Sequence, residues 1–98
     1  MELMNVEVAH TNVSELYNNV RKCILHTEIL DYIAKLNKAI DEASKKGYQS
    51  IERNLPPFDN TDLGQFASRC FIEELTKVIR NAGYTIKYQN AVCIILGW

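Results

Sequence analysis

The chain has little of what most active-site chemistry requires. Its two histidines are His10 and His26, so a Ser or Cys nucleophile would have almost no base to draw on. Both read as surface or capping residues. The three cysteines, Cys23, Cys70 and Cys93, are far apart and odd in number. That excludes a disulfide framework, and a zinc site would need paired ligands at short spacing. Each lies in an apolar stretch, so we read them as buried free thiols in a reducing compartment. The four glycines, Gly47, Gly64, Gly83 and Gly97, stand alone, which leaves no glycine-rich phosphate loop. The longest apolar run, Ala91 to Leu96, is far too short to span a bilayer. Met1 to Asn5 lacks the basic and apolar regions of a signal peptide. Charge is nearly balanced, at −1, so no global field attracts a nucleic-acid polymer or an anionic membrane. These absences point to a non-enzymatic chain without cofactor or metal, working in the cytoplasm of its cell.

What is present is amphipathic patterning. The 98 residues make one domain, 1–98. Residues 3–9 alternate, with Met4, Val6 and Val8 between polar neighbours, which suggests a short strand. Thr11-Asn12-Val13-Ser14 reads as a helix start. Leu16, Val20 and Cys23 then form one stripe, and Ile29, Ile33, Leu36, Ile40 and Ala43 form another. The two stripes are out of register by a residue or two near His26-Thr27-Glu28. Either one long, kinked helix runs over 14–46, or Thr27 caps a second helix. Lys45-Lys46-Gly47 ends it, with cations at the negative end of the dipole and glycine past it. Residues 48–55 read as a mostly polar strand stopped by Pro56-Pro57. Asn60-Thr61-Asp62 supplies caps for a second helix, whose apolar face runs from Leu63 to Ala82 and ends at Gly83. Residues 84–88 and 91–98 then form a hairpin about Gln89-Asn90. We read no internal repeat. The expected fold is α+β: a long amphipathic helix and a second helix packed on a small antiparallel sheet with a C-terminal hairpin.

The two hairpin strands differ. Tyr84, Ile86 and Tyr88 face one way and Thr85 and Lys87 the other, as a half-solvated strand should. In the last strand both faces are apolar, with Val92, Ile94 and Leu96 on one and Cys93 and Ile95 on the other. Either the long helix covers the second face, or a second subunit does. In the latter case Val92, Ile94, Ile95, Leu96 and Trp98 form a homo-oligomer interface. Scattered cations and aromatics suggest an anion site, with Arg53, Arg69 and Lys87 for phosphates and Tyr48, Tyr84 and Tyr88 for stacking on a base. The plainer reading puts Lys77 and Arg80 at a helix C-terminus and the tyrosines at the core boundary. Asp41-Glu42 and Glu73-Glu74 are adjacent on helices and point about 100° apart, so they converge on no substrate atom.

Leu36-Asn-Lys-Ala-Ile40, then Ala43-Ser-Lys-Lys-Gly47-Tyr48, then Gly83-Tyr84-Thr-Ile-Lys and a terminal strand ending in Trp98 resemble a layout of small tailed-bacteriophage and prophage proteins. There a helix ends in Gly plus an aromatic, a later helix ends in Gly-Tyr, and a hairpin closes near a Trp. The resemblance covers residues 33–98, and the double proline departs from it. It implies phage origin and an α+β fold, and no single activity. The expected function is a non-enzymatic binding protein that sequesters or blocks a host or defence component, either a protein or a small nucleotide. The alternative is a structural or assembly component of a virion.

Overall fold

The computed structural model describes residues 2–98 and has the expected α+β architecture. Helix α1 (Val6–Cys23), a π-helical turn (Ile24–Glu28) and α2 (Ile29–Lys45) form one continuous helix, about 60 Å long by rise per residue. Then come β1 (Ser50–Asn54), α3 (Asp62–Asn81), β2 (Thr85–Gln89) and β3 (Cys93–Gly97). The π-turn explains the two stripes. Ile29 N–H bonds back to the Ile24 carbonyl, five residues away. That wider turn brings Ile29 under Ile24, and both are buried. In an unbroken α-helix five residues would put them about 140° apart.

Helix ends follow the local chemistry. Thr61 Oγ1 accepts from Gly64 N–H at 3.1 Å and caps α3. Gly47 and Gly83 adopt φ of 87° and 93°, the left-handed conformation that costs glycine nothing. The following residues close both motifs: Tyr48 N–H donates to Ala43 O and Tyr84 N–H to Ile79 O.

Three antiparallel strands form a sheet in the order β1-β3-β2. The last strand is therefore central, bonded on both edges. One sheet face meets the helices. Ile94 and Leu96 lie there, 1% and 0% exposed, with Phe71, Leu75 and Ile79 of α3 and Leu36 of α2. The long helix and α3 supply that cover. On the other face Ile95 sits between Glu52 and Tyr88, and it and Cys93 are half-buried. Neighbouring side chains within the sheet, rather than another layer, shield them.

Four expectations are corrected. Residues 3–9 do not form a strand. Asn5 caps a helix there, its Oδ1 accepting from Glu7 N–H at 2.8 Å, and Glu7 sits at the positive end of the dipole. Thr11 to Ser14, read as a helix start, lies within α1. Tyr88 does not share a face with Ile86. A bulge at Lys87 inserts an extra residue, so Tyr88 pairs with Ile95 on the open face while Ile86 pairs with Leu96 on the core face. Cys23 is exposed, and Cys70 and Cys93 are only part-buried, though all three are free.

Candidate interaction surfaces

The molecule measures 68 × 21 × 18 Å, with a radius of gyration of 17.5 Å; a compact chain of this length would have about 13 Å. The excess is the first half of α1, which runs beyond the rest of the fold. α3 lies along the long helix only from Tyr17 onward. Tyr17 and Phe66 rings meet at 4.8 Å, and Arg21 and Leu25 share a groove with Phe66 and Cys70. Val20 packs on the core and Ile24 is within it. Before Tyr17 the same helix face continues with nothing against it. Val6 is 64% exposed, Val13 54% and Leu16 50%. α1 contributes no fully buried residue. This overhang is a helical arm with an unpartnered apolar stripe.

The arm has a signal of its own in the sequence. Asn-Val recurs at 5–6, 12–13 and 19–20, seven residues apart each time. Val6, Val13 and Val20 thus occupy one heptad position, and Ala9, Leu16 and Cys23 the position three residues on. A sustained seven-residue apolar spacing is the pattern of helices that pack side by side.

The six residues read as an anion site are dispersed. Tyr48 and Arg53 share a groove between α2 and β1 with Lys46 and Glu42. On the other side of Arg53 lies a groove of about 480 Å³ lined by Tyr32, Lys35, Leu36, Glu52 and Asn54. Tyr32 Oη donates to the Asn54 carbonyl at 3.0 Å, tying β1 to α2. Burial pushes the Tyr32 hydroxyl pKa up, against the opposing pull of the Arg53 cation. Arg69 stands apart, beside Pro56, Pro57 and Val92. Tyr84 packs on the core and edge-on to Trp98, with ring centroids 6.1 Å apart. Lys87 lies over Gly97, and Tyr88 is on the open sheet face. Only Tyr48 and Arg53 come together, and acids flank them.

The five residues read as an oligomer interface divide as well. Ile94 and Leu96 are packed inside this chain and cannot also meet a partner. Ile95 is half-buried, and Val92 and Trp98 are exposed. Neither a family model, a curated protein nor a solved structure matches this chain. Among the described residues, no three His, Cys, Asp or Glu side chains are grouped to hold a metal ion. No helix of the described residues is long and apolar enough to cross a membrane.

Proposed function

We propose that this chain is a small non-enzymatic binding protein of the phage accessory kind, which acts in the bacterial cytoplasm by occupying another protein. One observation supports the reading above the others: the arm extends an apolar helix face past the end of its intramolecular partner. Exposed apolar stripes of this kind mark protein contact sites, and helix-on-helix packing is the recognition mode that suits them. The dispersal of Tyr48, Arg53, Arg69, Tyr84, Lys87 and Tyr88 favours a protein over a small nucleotide as the bound component.

Matched baits test this. The wild-type chain and a Val13→Glu/Leu16→Glu variant would be expressed in bacteria under phage challenge and purified under the same conditions. Both substituted positions are at least half exposed, so the fold should hold in the variant. The expected result is a protein bound in near-stoichiometric amount by the wild type and lost from the variant. Identical capture by the two baits would remove the proposal.

A further inference from the structure

We infer that the free edge of β1 receives an extended, acidic segment of another protein as a fourth strand of the sheet. The sheet has two outer strands, and they differ. β2 is broken by the bulge at Lys87, and its last residue is tied down where Thr76 Oγ1 donates to Gln89 Oε1 at 3.2 Å. Bulges blunt an edge against further pairing. β1 pairs with β3 in unbroken register from Ser50 to Asn54, so its outer side is a regular template. The bonds at its two ends show which groups face out. Trp98 N–H donates to Gln49 O, and Leu55 N–H donates to Val92 O. Backbone groups along an antiparallel strand point to alternate sides, so Ile51 and Arg53 also bond inward to β3, while Ser50, Glu52 and Asn54 point outward. Tyr32 Oη donates to the outward Asn54 carbonyl, in keeping with this. The N–H and C=O of Ser50 and Glu52 and the N–H of Asn54 have no partner among the described residues.

Side chains beside this edge specify what can occupy it. Ile51 pairs with the buried Leu96, and successive side chains alternate, so Ile51 and Arg53 lie on the face turned to α2. Between α2 and β1 is the groove of about 480 Å³ at Tyr32, Lys35 and Leu36, and past Arg53 a second groove runs by Ala39, Ala43 and Lys46. A strand laid against Ser50–Asn54 would turn every second side chain towards these grooves. The residue opposite Ile51 meets a small apolar floor at Ala39 and Ala43, which suits an aliphatic side chain. The residue opposite Arg53 meets Arg53 and Lys35. Neither of these cations, nor Lys46, forms an ion pair with a described residue. A carboxylate here would gain two cationic partners without breaking an existing pair. The two acids at the grooves lie to either side: Glu42 is at the Lys46 end, and the Glu52 side chain is on the open face with Ile95.

A second copy of this chain does not suit the same edge. Antiparallel pairing of β1 with β1 about Glu52 sets Glu52 against Glu52, and like charges directly opposite are destabilising. It also requires the Asn54 carbonyl, which the Tyr32 hydroxyl already occupies. An extended foreign segment with an aliphatic residue and an acid two positions apart, and no acid between them, avoids the first conflict and can end before the second. In such strand addition the main chain supplies the attraction and alternate side chains the selection. The contact is smaller than a standard interface, so the dissociation constant should be on the order of 10–100 μM.

Fluorescence anisotropy with dye-labelled peptides tests the inference. The probe is a short threonine-rich peptide carrying valine and aspartate two positions apart. Its matched forms carry lysine for aspartate, or N-methyl groups on one or the other set of alternate amides. The aspartate peptide should bind the wild-type chain at least about tenfold more tightly than the lysine form, and one of the two N-methyl sets should abolish binding. Hydrogen exchange at the Ser50, Glu52 and Asn54 amides should slow when the peptide binds. Arg53→Glu, at an exposed position, should reverse the preference between the aspartate and lysine peptides. Glu52→Pro removes an outward N–H, which an edge strand tolerates, and should abolish binding with the sheet intact. If that variant fails to fold, the N-methyl peptides decide the same point on the wild-type chain. No binding up to about 500 μM, equal binding of the aspartate and lysine peptides, or unchanged exchange at the three amides overturns the inference. β1 contacts α2 and β3 and not α1, so the Val13→Glu/Leu16→Glu variant should bind the peptide as the wild type does, whatever the bait experiment returns.

Discussion

Replacing Phe71 with alanine is expected to cost about 3–5 kcal/mol, the range for truncating a buried aromatic side chain. Phe71 is fully buried. Its ring meets Tyr32 of α2 edge-on at 5.3 Å and Phe58 of the loop before α3 at 5.9 Å. It thus joins the long helix, the second helix and the proline-containing loop. The loss combines the transfer energy of the ring with a cavity at the junction, and Tyr32 and Phe58 would lose a partner together. A domain of this size typically has about 5–15 kcal/mol of stability, so the variant should be close to unfolding. Urea denaturation followed by circular dichroism measures the effect. A change below about 1 kcal/mol would mean that the three rings do not form one packed unit.

Gly64→Ala should destabilise the protein even though helix propensity argues the opposite. Gly64 is in the first turn of α3, where alanine would normally gain about 1 kcal/mol over glycine. A Cβ here would overlap the carbonyl oxygen of Asp59 and stand 2.7 Å from its carbonyl carbon. The obstacle is backbone and cannot rotate away. Overpacking of this kind costs typically 1–3 kcal/mol, and it should exceed the propensity gain by pushing residues 56–60 off the helix. Gly97→Ala is the control. Its Cβ would meet the Lys87 side chain, with Cε at 2.5 Å, and a flexible surface lysine can move aside. Thermal melting should separate the two variants by several degrees. If Gly64→Ala melts at or above wild type, the loop is not held against the helix as described.

The parts of this fold that could be read in the sequence are those fixed by local chemistry. Thr61 caps, and Gly47 and Gly83 stop helices, because a hydroxyl acceptor or a left-handed residue is needed at those positions whatever lies elsewhere. The stripe from Ile29 to Ile40 and the hairpin were legible because one period dominates a long enough window. The N-terminus was not. Over seven residues, Met4, Val6 and Val8 satisfy a two-residue period by chance while Val6 and Val13 satisfy the heptad, and only a longer window separates the two. The face that Tyr88 takes is not legible, because a bulge reverses the alternation and nothing in Thr85-Ile-Lys-Tyr announces one. The doubly apolar character of the last strand is legible in the sequence, but its central position in the sheet is not. Its central place depends on β1 crossing from far away in sequence to pair with it, and no local pattern carries that pairing. The anion-site residues come from three separate stretches of sequence, and no local pattern says whether the fold gathers them.

The π-turn at Ile24–Glu28 has a consequence for chain length. It is one residue more than a regular helix would need to carry its apolar face from Val20 to Ile33. Shortening the chain by Thr27, which is exposed, would place Ile24 and Ile29 four positions apart, and an unbroken α-helix would then keep both on the core side. Elsewhere in the helix the same loss would rotate one half about 100° against the other. The segment between His26 and Glu28 is thus the one place along this helix where a single-residue deletion should leave the melting temperature essentially intact, whereas removal of Lys38 should unfold the body.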